Sequence, residues 1–285
     1  MRVLYNILTY IVTFHLKLAS LFNKKLKLGI VGRDETFDTL KSEIFPNDQV
    51  IWFHCASLGE YEQGLPVFEI IRKEYPNFKI VLSFFSPSGY EVRKNTSVAD
   101  VIVYLPFDTI SNAKKFIDIV NPKLVVFVKY EIWPNYLFEL KKREITTILI
   151  SALFRKNQIY FKSYGALMRK ALNSFNHIFT QDESSKQLLN SIEINSCSVS
   201  GDTRFDRVSN QLLIDNTLNF ISDFKQDKVC VVAGSTWPED EKLLVHFINN
   251  HEKNTKFIFA PHNIKSNQIL KLKKSISKNT ILFSE

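Results

Sequence analysis

The sequence predicts an α/β fold: two parallel sheets covered by helices, the second of them incomplete. Three observations predict it. Seven short runs, at 50–55, 80–84, 101–104, 124–128, 147–151, 177–180 and 197–200, are apolar almost throughout instead of alternating, as strands buried on both faces must be. Stretches of helical period lie between them, for example 65–74, 113–120, 136–143 and 167–174, and strands joined by helices give a parallel sheet. A second, shorter series begins near Lys228, with strands at 229–233, 257–260 and 281–283 and helices at 239–250 and 269–276. Three strands amount to half a fold. The loosely periodic, polar stretch between the two series suggests a linker at 207–227. That leaves a first domain at 29–206 and a partial second domain at 228–285, with a cleft between them.

Composition narrows the partners. The formal charge of +8 favours an acidic one, whether nucleic acid, anionic lipid or a phosphorylated substrate. Cys55, Cys197 and Cys230 show no metal-ligand spacing, and an odd number argues against a disulfide framework, so buried free thiols are expected. The histidines form no cluster, and no metal or cofactor is expected. No set of glycines spells a dinucleotide fingerprint or a P-loop. No DxD pair is present to hold a divalent ion, so a nucleotide leaving group would be neutralised by backbone donors and basic side chains.

Residues 1–28 read as one helix. No Asp, Glu, Lys or Arg occurs from Val3 to Leu16, yet the run is short for a membrane span. Asn6, Thr9, Thr13, Lys17, Ser20 and Lys24 recur at steps of three or four and form one polar stripe, with Leu4, Ile7, Leu8, Ile11, Val12, Phe14 and Leu18 filling the rest. Lys17, Lys24, Lys25 and Lys27 sit where anionic head groups would be. A monotopic helix in the membrane interface fits this pattern. Its rivals are a signal peptide, which lacks an A-x-A-like site, and an amphipathic helix packed on the protein itself.

Ligands of open parallel sheets bind beyond the carboxyl ends of the strands, where several polar turns fall. The first, 54–60, contains Ser57, Gly59 and Glu60; Glu60 stands at a helix start, as a dipole-complementing acid or a catalytic one. In the second, Ser86 and Ser88 open a helix, as an N-cap or an anion site. The third, 129–135, places Glu131, Trp133 and Pro134 directly after a buried strand, which packing does not require. The fourth offers Arg155 to a phosphate or carboxylate, or to solvent. In the second domain Gly234, Ser235 and Thr236 precede a helix, with Thr236 and Glu239 at capping-box spacing. Gly234 and Ser235 would still offer N–H groups to a phosphate, and His262 follows the next strand at the same edge.

The strings HCASLGE, YLPFD, NPKLVV followed by EIWPN, and SGDTRFD occur in order from residue 54 to 206, and GSTWPEDE follows at 234–241. Together they resemble the Kdo (3-deoxy-D-manno-octulosonic acid) transferase family of lipopolysaccharide biosynthesis. The resemblance implies a GT-B fold of two Rossmann-like domains, acceptor-binding at 29–206 and donor-binding at 228–285. It implies an inverting, metal-independent glycosyltransfer from CMP-Kdo to a lipid A precursor, on the cytoplasmic face of the inner membrane of a Gram-negative bacterium. Nucleic acid is then no partner; an anionic membrane surface is. Carried over by motif, Glu60 matches the catalytic base and Glu131 the second essential carboxylate, while Gly234, Ser235, Thr236 and His262 fall where the donor nucleotide is held. Three departures stand out. Lys129 occupies a position often acidic in relatives, Ala260-Pro261-His262 lacks the arginine of a PRH string, and the Gly-rich donor loop is expected beyond residue 285. The chain resembles about the first two-thirds of a family member. Two other readings stay open: a GT-B enzyme using a UDP-sugar, and a non-catalytic lipid-binding module.

Overall fold

Two helices precede the first sheet, α1 (Arg2–Ser20) and α2 (Lys24–Glu43). The single helix expected over 1–28 is therefore broken, and α2 crosses the expected boundary at 28/29. The cause is local: the Asn23 side chain accepts from the backbone N–H of Lys25 (3.0 Å) and Leu26 (3.1 Å) and so starts a new helix. Residues 1–252 and 254–284 are described by this computed structural model, which divides into two units, Met1–Ile214 and Asp215–Glu285.

The first unit alternates β1 (Val50–Cys55), α3 (Leu58–Glu74), β2 (Lys79–Phe84), α4 (Pro87–Arg93), β3 (Val101–Tyr104), α5 (Ile110–Val120) and β4 (Pro122–Val128). It continues through α6 (Pro134–Lys142), β5 (Thr146–Ala152), a short 3-10 turn at Ile159–Phe161, α7 (Ala166–Leu172), β6 (His177–Thr180), α8 (Glu183–Asn190), β7 (Cys197–Val199) and α9 (Thr203–Gln211). All seven strands are parallel, in the order β3-β2-β1-β4-β5-β6-β7. Every residue of β1 is buried, and the two faces of the strand serve two cores. Val50 and Trp52 point to the core built with α2, α5, α6, α7 and α8; Ile51, Phe53 and Cys55 point to the one under α3 and α4. Phe53 stacks on Phe68 of α3 with ring centres 4.1 Å apart. Each such side chain contributes about 1.5–3 kcal/mol by leaving water.

Strand order reverses between β1 and β4: β2 and β3 lie to one side of β1, and β5 to β7 to the other side of β4. The crevice at such a switch point is where an open α/β sheet binds its ligand. Both expected carboxylates leave the sheet here, Glu60 after β1 and Glu131 after β4.

The second unit holds α10 (Asn219–Lys225), β8 (Val229–Thr236), α11 (Pro238–Asn250), β9 (Thr255–Pro261) and α12 (Ser266–Ser275), with β8 and β9 parallel. Two expectations are corrected. The segment 207–227 is no plain linker, since α9 reaches Gln211 and α10 fills 219–225, although both helices are without buried residues. No strand forms at 281–283; there Phe283 lays its ring against Phe220, 4.9 Å between centres. Cys55 and Cys197 are buried as expected of free thiols, whereas Cys230 is half-buried.

Candidate active site at the sheet's switch point

Glu60 lies in the first turn of α3, whose N-cap is Ser57. Its Oε2 accepts from the backbone N–H of Ala56 (2.6 Å) and Ser57 (3.1 Å), the acidic half of a capping box. Those bonds fix the carboxylate against the turn, while Oε1 takes no hydrogen bond among the described residues. The bonds are those expected of a dipole-complementing acid, and they leave Oε1 unengaged. Burial pushes the Glu60 carboxyl up to about 7, helped by the charge of Glu131 and opposed by the two backbone bonds and by Lys129. Its helix lies close to the sheet because Gly64 has no side chain; a Cβ there would stand 3.0 Å from Val128 Cγ2 and nearer still to the Phe68 ring. Gly59 differs, since a Cβ at that position would meet nothing within 4 Å. Packing does not demand a glycine there, and the open space is available to a ligand.

Glu131 is buried and held from two directions. His54 Nε2 lies 3.0 Å from its Oε2, and Trp133 Nε1 donates to the same oxygen at 2.7 Å. Behind His54, Ser83 Oγ lies 2.8 Å from Nδ1 and itself accepts from Trp52 Nε1 at 2.7 Å. His54 and Ser83 are absent from the expected site residues. A histidine inside an apolar strand signalled the first of them, and nothing local signalled its partners at 83 and 131.

One further buried acid supports this turn. Asp108 receives the backbone N–H of Asn135 and of Tyr136 (3.1 Å each) and the Tyr5 hydroxyl (2.6 Å), so it caps α6 and ties it to α1. Burial raises its carboxyl above the usual range. Asn135 Nδ2 also donates to Asn6 Oδ1 at 2.9 Å. Three non-glycine residues at strand ends take left-handed backbone: Lys129 (φ 64°) after β4, Ser151 (φ 52°) in β5 and Ser235 (φ 53°) in β8. Such strain, of order 1 kcal/mol or more each, gathers at functional turns.

The other expected residues separate into groups. Ser86 N-caps α4, its Oγ accepting from the Ser88 N–H at 3.3 Å and lying 3.0 Å from Ser88 Oγ, while Ser86 N donates to Ala56 O at 2.7 Å beside the Glu60 turn. Arg155 is exposed, and no ion pair engages it among the described residues. In the second unit, β8 and β9 bring Thr236 and His262 together: His262 N donates to Thr236 O at 2.9 Å, and its ring stacks on Trp237 at 4.4 Å. The expected Thr236/Glu239 box is displaced by one residue. Because β8 runs to Thr236, Trp237 becomes the N-cap of α11 and Asp240 Oδ2 accepts its N–H at 2.9 Å, while Thr236 Oγ1 donates to Glu241 at 3.2 Å. Among the described residues no group of three His, Cys, Asp or Glu gathers to hold a metal ion.

A parallel sheet ordered β3-β2-β1-β4-β5-β6-β7 with helices on both faces, followed by a second parallel unit, is an α/β fold of GT-B type. Solved structures share the fold: UDP-GlcNAc 2-epimerase from Neisseria meningitidis (TM-score 0.58, 17% identity, 80% of this chain and 69% of that one) and the wall teichoic acid polymerase TagF (0.50, 16%, 94% and 69%). The model of the 3-deoxy-D-manno-octulosonic-acid transferase (kdotransferase) family matches residues 31–207, and the chain belongs to that family. Among proteins named 3-deoxy-D-manno-octulosonic acid transferase, that of Rickettsia felis is 30% identical over 211 residues, covering 70% of this chain and 43% of the relative. That of Haemophilus influenzae is 26% identical over 204 residues (70% and 48%), and that of Chlamydophila psittaci 25% over 255 (87% and 58%). The chain spans about half the length of the curated relatives it matches.

Proposed function

We propose that this chain carries the acceptor-side catalytic site of a glycosyltransferase that moves Kdo from CMP-Kdo to a lipid A precursor with inversion, Glu60 being the general base. The observation that carries the reading is Glu60 itself: one oxygen fixed by two backbone N–H groups, the other free, and a carboxyl raised to about 7. A base matched to working pH is what deprotonation of a sugar hydroxyl needs. As Glu60 takes that proton, the acceptor oxygen attacks the anomeric carbon; the bond to CMP breaks and its electron pair leaves with the phosphate. Glu131 positions the acceptor or the loop. In the second unit, Gly234, Ser235, Thr236 and His262 are assigned to the donor nucleotide. Two features support this: a Cβ at Gly234 would meet nothing within 4 Å, and Ser235 is strained.

The membrane reading gains support from α1. Its less exposed positions are Tyr5, Asn6, Thr9, Thr13, Leu16 and Ser20, so the uncharged part of the polar stripe faces the protein while Lys17 and Lys24 are exposed. Val3, Leu4, Ile7, Leu8, Ile11, Val12, Phe14 and Leu18 are all 46% or more exposed. A helix that turns its polar side inward and its apolar side outward is arranged for a lipid interface. By length and composition α1 is also apolar enough to cross a bilayer.

The test is transfer from CMP-Kdo to lipid A precursor, followed by mass spectrometry, with wild-type chain and Glu60→Ala in vesicles of anionic lipid. Transfer by the wild type, with a loss of 100-fold or more in Glu60→Ala, is expected; vesicle binding is retained in both. Turnover of a UDP-sugar without turnover of CMP-Kdo would replace the donor assignment. Lipid binding without any transfer would favour a lipid-binding module.

A further inference from the structure

The relay that ends on Glu131 runs through the middle of the sheet, from Trp52 and His54 of β1 and Ser83 of β2 to the turn after β4. His54 is fully buried, with polar partners at both ring nitrogens. Ser83 Oγ accepts the Trp52 N–H and lies 2.8 Å from His54 Nδ1, with the Ser83 carbonyl oxygen 3.1 Å from the same nitrogen. Nε2 faces a carboxylate, whose oxygens only accept, and so donates to Glu131 Oε2 at 3.0 Å. The Trp133 N–H, 3.1 Å from Nε2 and 2.7 Å from Oε2, goes to the carboxylate as well. Both donors meet one oxygen, and Glu131 Oε1 takes no hydrogen bond among the described residues. Two carboxylates therefore share one design, an Oε2 tied to the protein and an Oε1 left free.

We propose that His54 is a positioning residue for the carboxylate pair: by donating to Glu131 Oε2 from within the sheet, it fixes where the Glu131 charge stands relative to Glu60. This rests on the reading of Glu60 as the base. The charge of Glu131 raises the Glu60 carboxyl, so any freedom of Glu131 to swing away lowers it. Lys129 on the same turn lowers the Glu60 carboxyl, while the carboxylates add to burial in raising the Cys55 thiol at the end of β1 and the Tyr160 hydroxyl, the latter to about 12. None of these three holds Glu131 in place; besides His54 the Trp133 N–H does, and it is kept in both position-54 variants.

The experiment is a carbon-13 titration of the side-chain carboxyls of the 285-residue chain, with the Glu60 signal assigned by its loss in Glu60→Gln. Two substitutions at 54 separate positioning from packing. In His54→Asn the amide replaces Nδ1 toward Ser83 and cannot reach Glu131; in His54→Gln it reaches as far as Nε2. The Glu60 midpoint should fall by about one unit in His54→Asn, stay near the wild-type value in His54→Gln, and fall in Glu131→Gln. A midpoint unmoved in His54→Asn, equal in both position-54 variants, or unmoved in Glu131→Gln overturns the proposal. Near-ultraviolet circular dichroism confirms that each variant is folded, and His54→Gln against wild type carries the test if His54→Asn is not. The titration needs no turnover, so failure of the wild-type chain to transfer Kdo would sink the glycosyltransfer reading while leaving this result to stand or fall alone.

Discussion

The turn from β1 into α3 and the turn from β8 into α11 follow one plan: a parallel strand, a short turn, an acidic side chain at the third helical position, and a helix. Glu60 accepts the N–H groups of Ala56 and Ser57; Asp240 accepts that of Trp237. Their surroundings differ. The sheet of the first unit is covered on both faces and β1 is buried throughout, whereas in the second unit Thr236 and Ile248 are the only buried residues among those described. Val229, Val231 and Val232 of β8 are 42–68% exposed. The same local device is a surface cap in one place and an electrostatically altered carboxyl in the other. Coverage of the sheet, which excludes water, makes the difference.

The largest expected effect tests coverage directly. Phe53→Ala removes a fully buried ring stacked on Phe68 and should cost about 3–5 kcal/mol in urea unfolding. Val232→Ala, at a β8 position 64% exposed, should cost less than about 0.5 kcal/mol. Equal losses would show that the two sheets are covered alike in solution.

A second test reads the altered carboxyl as stability. The folded-state value of Glu60, about 7, lies above the ordinary glutamate value of 4.5. Its protonated form therefore contributes stability that is complete below about 4.5 and lost as pH rises through about 7. Gln cannot ionise and can still accept in a capping box. Glu60→Gln should thus match wild type near pH 4.5 and exceed it by roughly 2–3 kcal/mol above pH 8, while losing transfer. Urea midpoints measured from pH 4.5 to 8.5 check this; a gain that does not grow with pH would mean that Glu60 is ordinarily solvated.

How far the sequence revealed this arrangement depended on where each partner lies. The seven strands of the first unit were legible because burial on both faces leaves apolar runs. Helix α2 was not, because its inward positions are Gly29, Arg33, Thr36 and Leu40. Those lie at helical spacing, yet three of the four are not hydrophobic. Arg33 is accommodated by bonds to Gly29 O (2.7 Å) and Leu105 O (2.9 Å), which no local pattern announces. Glu60 and Glu131 were legible as acids at strand ends and through the family motifs. Their environment was not, since His54 meets Ser83 and Glu131 only once β2, β1 and β4 are side by side. The capping box of α11 was misplaced by one residue because β8 extends to Thr236, a length fixed by its pairing with Pro261 of β9.

The smallest expected effect falls on that second turn. Asp240→Ala removes the acceptor of the Trp237 N–H at an exposed site, where one cap contributes about 1 kcal/mol or less. Thr236 remains bonded to Glu241, and Pro238 needs no donor partner at the helix start, so the strand-to-helix path should persist. Amide exchange at Trp237 should accelerate by up to about fivefold, with exchange in β1 unchanged. A loss beyond about 2 kcal/mol would mean that Asp240 holds more than its own helix. The two turns would then be alike in kind, and coverage of the sheet would no longer distinguish them.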